Sequence, residues 1–191
     1  TLCRWENRAD RQAVWDMHKV IVDVFMESFD EPPDELVLDF DSTDDAVHGR
    51  QERRFFHGYY DKYCFLPLYV FCGEQLLVGY LRHSRIGDAK HAWAILSFLV
   101  RAFRARWPGV RIIFRGDSGF CRHRMLDWCE SHDVDYIVGI KRNPVLERMA
   151  EPALVAAEEA FDEQGVKQRH FVDLEYAAGT WTRSRRVICK A

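Results

Sequence analysis

The run Glu35-Leu36-Val37-Leu38-Asp39-Phe40-Asp41-Ser42-Thr43-Asp44-Asp45 decides how the rest of the chain is read. Its first part is short, apolar and β-branched, the pattern of a strand buried inside a sheet, and it breaks off in acid. A second run repeats the design. Val110 to Phe114 is apolar and ends in Arg115-Gly116-Asp117-Ser118-Gly119.

Between and around these runs the elements alternate. Tyr63 to Phe71 and Gln75 to Arg82 read as two strands of a hairpin turning at Cys72-Gly73-Glu74. Asp88 is placed to cap a helix whose apolar stripe is Ala92, Ile95, Leu96, Leu99 and Phe103, closed by Pro108-Gly109. A short helix with Met125, Leu126, Trp128 and Cys129 leads to a strand at Val134 to Ile140. Asn143-Pro144 then starts a helix reaching about Gly165, with proline at the favoured first position. The tail, Val166 to Ala191, alternates weakly and reads as β. Upstream, residues 8–29 carry Val14, Met17, Ile21, Val24 and Phe25 at helical spacing, and Pro32-Pro33 ends that helix.

Strand–helix alternation after an opening three-strand meander implies an α/β fold with a mixed five-stranded sheet flanked by helices on both faces. The element order resembles the ribonuclease H-like fold. Right-handed crossovers then set the first and fourth strands side by side and parallel. The expected organisation is an N-terminal helical segment over 1–34, the ribonuclease H-like core over 35–165, and the start of a β-rich insertion over 166–191.

If those strands are neighbours, Asp41 and Asp117 meet at the carboxyl edge of the sheet, where open α/β sheets place their ligand sites. Two carboxylates held that close need a cation between them to stay ionised cheaply. Hard oxygen donors in low number suit Mg²⁺ or Mn²⁺, which keep waters and recruit substrate phosphates. The plainer alternative is that each acid caps a turn or helix, a role Asp117-Ser118-Gly119 fits well. Residue pattern alone does not choose between the two. Gly116 and Gly119 permit a tight turn and close approach of a phosphate backbone. Asp39 is expected on the opposite strand face from Asp41, and Asp44 and Asp45 as turn residues.

The stretch from Leu38 to Tyr136 resembles the bacterial insertion-sequence DDE transposases of the thirteen-eighty group. The likeness runs through Leu38-Asp-Phe-Asp-Ser-Thr-Asp-Asp45, His48-Gly49, Phe55-Phe56-x-Gly58-Tyr59-Tyr60 and Leu66-Pro67-Leu68. It continues through Ala89-Lys-His-Ala-Trp-Ala94, Arg111-Ile-Ile-Phe-Arg-Gly-Asp-Ser-Gly-Phe-Cys121 and Asp135-Tyr136-Ile137-Val138-Gly139. That resemblance implies metal-dependent DNA cleavage and strand transfer with two Mg²⁺ or Mn²⁺ ions. Asp41 is then similar to the family's first catalytic acid and Asp117 to its second. The family's third acid, a Glu in a Tyr-Arg-Glu-Lys signature on a late helix, has no counterpart here; Glu158, Glu159 and Glu175 sit in no matching context. Truncation ahead of that helix is the expected reason, and the chain by itself is expected to be inactive. The resemblance also implies double-stranded transposon ends and target DNA as partners, a homodimer as the active form, and a bacterial cytoplasmic, nucleoid-associated location. A nuclease or resolvase on the same fold, and a catalytically inactive remnant that only binds DNA or a partner, are the rival readings.

Bulk properties narrow the field less. At 191 residues and 48% hydrophobic, the chain buries one good core, and no apolar run is long enough for a membrane span. Thr1-Leu2-Cys3-Arg4-Trp5 lacks an initiator Met and a signal-peptide pattern, so the sequence reads as an excised piece of a cytosolic protein. Six cysteines without a Cys-x-x-Cys pair argue against a disulfide framework and a ribbon-type zinc site. Cys121, His123, Cys129 and His132 invite zinc, but Cys121 and His132 lie about 16 Å apart along a helix, too far for one ion. The net charge of −3 hides an acidic first half and a basic second half. Among the basic residues, Arg115, Arg122, Lys141 and Arg142 are the candidates for DNA phosphate contacts, Arg122 and Lys141 because each follows a strand ending near the acids. The aromatic cluster Phe55 to Tyr60 either stacks on an unpaired base or packs under the following strand, and packing is the preferred reading. No helix-turn-helix stands out.

Overall fold

A computed structural model describes residues 8–191; Cys3 and the opening Thr1–Trp5 stretch lie outside the described residues. In chain order the elements are α1 (Arg11–Glu27), β1 (Glu35–Ser42), β2 (Asp45–Ala46), β3 (Phe55–His57), β4 (Lys62–Phe65), β5 (Leu68–Cys72) and β6 (Gln75–Tyr80). There follow α2 (Ala92–Arg106), β7 (Arg111–Gly116), a 3₁₀ turn (Ser118–Phe120), α3 (His123–Ser131), β8 (Asp135–Val138), α4 (Pro144–Gln164), β9 (Phe171–Tyr176) and β10 (Arg185–Lys190).

The main sheet has the order β6-β5-β1-β7-β8. β5 and β6 form the antiparallel meander beside β1, whereas β7 pairs parallel with β1 and β8 parallel with β7. That is the expected ribonuclease H-like arrangement, with the first and fourth strands adjacent and parallel. The β5–β6 hairpin turns at Gly73-Glu74, with Gly73 in the left-handed region at φ +58°.

Alternation along β1 sends Leu36, Leu38 and Phe40 into the core, where they join Leu68, Val70, Ile112 and Phe114 of the flanking strands. Helix α1 adds Val22 and Phe25 to the same cluster; α2 adds Leu96, Leu99, Val100 and Phe103, and α3 adds Met125 and Cys129. Each such buried side chain stabilises the fold by about 1.5–3 kcal/mol. The reverse face of the sheet carries Asp39, Arg115, Arg111 and Asp135 instead, tied by Arg115–Asp39 and Arg111–Asp135 ion pairs. Within this unit the buried residues of α1, α2 and α3 join one core cluster with the inward side chains of the sheet.

Three local expectations need correction. On α1 the buried residues are Val22 and Phe25, while Val14, Met17 and Val24 are exposed. Val22 and Phe25 face inward, Phe25 meeting Phe29 and Phe103, while the exposed Trp15 lies against Phe98 and His18 reaches the Gly79 backbone. The run from Tyr63 to Phe71 is not one strand. It breaks at Leu66-Pro67, since proline donates nothing to a ladder, and β4 joins β2 and β3 in a separate three-stranded sheet. Asp88 does not cap α2; that position is His91, at φ +70° and without a side-chain cap.

The chain divides into two compact units, through Gly139 and from Ile140 onward. In the second, Asn143 caps α4 by accepting from the Val145 and Leu146 amides, and Gly165 ends it at φ +67°. β9 and β10 pair antiparallel from Phe171↔Lys190 to Tyr176↔Arg185. Among the described residues no helix is long and apolar enough to cross a membrane.

Candidate active site

The register of β1 on β7 builds the site. It runs in steps of one from Glu35↔Arg111 to Phe40↔Gly116, and the residues that follow this last pair are Asp41, still in β1, and Asp117, just beyond β7. Asp39 and Asp41 are two residues apart and therefore share a face; the assignment of Asp39 to the opposite face is wrong. Along that face the first cross-strand pair is Asp39 with Arg115, whose Nε and Nη2 both donate to its carboxylate, Nη2 at 2.6 Å. The next residue of each strand beyond the last registered pair, Phe40↔Gly116, is an acid: Asp41 in β1 and Asp117 just past β7. On its other side Asp41 is registered against Tyr69 of β5. Asp39 is neutralised by Arg115, whereas Asp41 and Asp117 bring acid to the carboxyl edge.

Asp117 also does what the plainer reading expects. Its Oδ1 accepts from the Gly119 amide at 2.8 Å and caps the 3₁₀ turn. The carboxylate nevertheless stays exposed, with its second oxygen uncommitted to the cap. Capping and ion binding are compatible here because they use different oxygens.

Asp88 stands close to Asp117, a neighbour that sequence reasoning missed. A methyl group built on Gly119 would fall 2.6 Å from Asp88 Oδ2 and 3.0 Å from Asp117 Oδ1. Both carboxylates therefore converge on the one residue that leaves room for them. Gly116 is needed for a similar reason, since a Cβ there would press on the Phe120 ring at 3.0 Å. Neither glycine has a left-handed φ; close approach rather than turn geometry demands them.

Two further residues connect to this edge. Burial, followed by the charges of Asp44, Asp88 and Asp41, pushes the Tyr60 phenol above its ordinary range. Asp44 is ion-paired with Lys62. Behind the site, Arg82 is 4% exposed. Its Nε donates to the Leu66 carbonyl at 2.8 Å, and Nη1 donates to the carbonyls of Asp88 at 2.9 Å and Lys90 at 2.6 Å. Nη2 donates to Ser42 Oγ. One guanidinium thus fixes the residue after Asp41 to the loop bearing Asp88. Nothing in the sequence marks Arg82, because its partners are three backbone carbonyls and one hydroxyl drawn from three separate segments.

Of the residues expected at phosphates, Arg115 is engaged with Asp39, and Arg122 is exposed just after the turn that Asp117 caps. Lys141 and Arg142 are exposed in the second unit. Cys129 is a core residue whose thiol burial pushes up to about 12, and His132 stacks on Trp128 at 4.3 Å.

Asp41, Asp117 and the neighbouring Asp88 offer only oxygen donors, the set that suits a hard divalent cation. Among the described residues no group of three or more His, Cys, Asp or Glu side chains is set to enclose an ion. An open pair of carboxylates fits Mg²⁺, which is held by one or two carboxylates together with waters and substrate phosphates.

A mixed sheet of this strand order, with acids ending its two central parallel strands, defines an α/β protein of the ribonuclease H-like class. The whole chain, residues 1–191, matches the family described as transposase DDE domain, group 1, and belongs to it. The catalytic domain of the Mos1 mariner transposase is 11% identical, over 84% of this chain and 77% of that one, with a TM-score of 0.42. The HTLV-2 integrase catalytic core domain, solved with magnesium in a dimeric form, is 10% identical over 70% and 76%, with a TM-score of 0.34. No curated protein matches the chain.

Proposed function

We propose that this DDE domain cleaves DNA phosphodiester bonds and transfers the resulting strands during movement of an insertion sequence, with Asp41 and Asp117 holding two divalent cations, Mg²⁺ or Mn²⁺. The observation carrying this reading is that both acids directly follow the last registered pair of two parallel neighbouring strands, Phe40↔Gly116, and both are exposed. Acids brought to one edge without a basic partner cost electrostatic energy that a bound cation offsets.

When bound, the ions supply positive charge to the scissile phosphate and activate the attacking hydroxyl. The chain's own residues do the rest. Asp41 is held by strand pairing with Tyr69 of β5, and its neighbour Phe40 by pairing with Gly116 of β7. The Gly119 amide orients Asp117 through Oδ1, and Arg82 holds the end of β1 to the Asp88 loop. Arg122, Lys141 and Arg142 are assigned to phosphates of double-stranded transposon ends and target, which would make affinity fall with salt. Arg115, with two donors already on Asp39, is the weakest of the four candidates. A homodimer is the proposed active form, since an element has two ends to process and a two-fold assembly treats them alike. The proposed setting is the bacterial nucleoid.

The test uses intact protein and a pre-cleaved transposon end bearing a free 3′-hydroxyl. Strand joining in Mg²⁺ or Mn²⁺, lost on chelation, is the expected result; hydrolysis without joining would indicate a nuclease instead. Asp41→Asn and Asp117→Asn should each lower cleavage by about 10²–10³-fold or more while leaving DNA affinity unchanged. Retained cleavage in either variant overturns the assignment.

A further inference from the structure

The small sheet beside the carboxylate edge faces outward with its aromatic side. In β3 and β4 alternation buries Cys64 and leaves Phe56 and Tyr63 on the other surface, 53% and 50% exposed. These two are cross-strand partners, ring centroids 5.6 Å apart and edge to face. The Arg54 guanidinium lies over the Tyr63 ring at 4.7 Å. Tyr59, in the turn joining the strands, is 86% exposed and meets Tyr60 edge-on at 5.0 Å. The preferred reading of the Phe55 to Tyr60 cluster from sequence, packing beneath the next strand, is therefore wrong for Phe56 and Tyr59. Burying any of them would have stabilised the fold by about 1.5–3 kcal/mol.

The position of the patch is informative. β2 begins three residues after β1 ends, and β4 pairs with β2 through Asp45↔Phe65. Tyr60, next to Tyr59, feels the charges of Asp44, Asp88 and Asp41. The aromatic face thus borders the proposed reaction site. Its chemistry is π-faces with phenolic rims and an arginine, which matches bases and their phosphates better than it matches an aliphatic surface. Bases inside a duplex are stacked on each other and present only their edges; a ring face becomes available once a base is unpaired.

We infer that Phe56 and Tyr59, together with the Arg54 guanidinium seated over Tyr63, form a stacking platform for unpaired nucleotides flanking the DNA bond that is cut. This rests on the reading of Asp41 and Asp117 as the DNA-cleaving site. Stacking of this kind tolerates any base, so the platform holds the flank without reading its sequence.

The experiment measures binding in intact protein carrying Asp41→Asn, without divalent metal, so that it does not depend on catalysis. The probe is a duplex with a short unpaired flank containing 2-aminopurine, compared with the same duplex fully paired. Stacking should quench the probe. Phe56→Ala combined with Tyr59→Ala should abolish the quenching and weaken binding of the unpaired-flank probe about tenfold or more, with paired-duplex affinity unchanged. Tyr59→Phe should retain both properties. Quenching that persists in the double variant, or equal weakening on paired and unpaired DNA, overturns the inference. So does a change of oligomeric state in light scattering with quenching intact, which would make the face a protein interface. A protein that quenches the probe but whose wild-type form cuts no DNA would refute the catalytic reading and leave the platform standing.

Discussion

Gly119 is where the site's tolerance is smallest. Its missing side chain is what lets the Asp88 and Asp117 carboxylates lie against the same point, and the Asp88 Cβ itself would be 2.9 Å from an added methyl. Alanine at this position must displace one acid or the other. The backbone there is not left-handed, so little strain accompanies the change. Gly119→Ala is expected to reduce metal-dependent cleavage about 100-fold, the order reached when a reacting group is misplaced by about an ångström, with only a small drop in melting temperature. Wild-type cleavage by this variant would show that the two carboxylates need no fixed position. Asp117 illustrates why single-residue readings stayed ambiguous: a cap and an ion ligand are the same residue type at the same strand end.

Elements meet at Arg82. It links the end of β1, the β4–β5 junction and the loop entering α2 through four acceptors, three of them backbone carbonyls. A lysine keeps the charge but presents it as a point, without the planar fork that reaches in three directions. Arg82→Lys is expected to lower the free energy of unfolding by about 1–3 kcal/mol, the cost of stranding buried acceptors. A urea titration would measure it, and an unchanged midpoint would mean that water replaces the guanidinium. Periodicity also failed at the level of elements. On α1 the expected stripe Val14, Met17, Ile21, Val24 and Phe25 holds only at Phe25, and Val22 rather than Val24 is buried beside it. Phe25 is fixed by Phe29 and Phe103, which in turn pack on Trp107.

For the molecule as a whole, pH is a direct probe of packing. Desolvation pushes the Cys129 thiol up to about 12 from an ordinary value near 9, and burial likewise raises that of Cys72. The folded state keeps these protons while the unfolded chain releases them, so the unfolded state binds fewer and stability falls as pH rises. Their contribution is fully present below pH 9 and is lost progressively toward about pH 12. Denaturant midpoints measured across that window should decline, and Cys129→Val should decline less steeply. Equal slopes for the two proteins would show that Cys129 is solvated in the fold.

The sequence by itself determined the two acid-tipped buried strands, the order of elements around them, and the limits of α4 from Asn143 to Gly165, because burial and capping leave local marks. It also held the resemblance that the family match over residues 1–191 supports. Tertiary structure alone decided which stripe of α1 faces inward, that Asp88 leaves its expected cap to stand against Gly119, that Arg82 is buried, and that the aromatic segment turns outward. Each of those depends on what distant segments place beside the residue, and the register of β1 on β7, rather than any feature of either strand, is what makes neighbours of Asp41 and Asp117.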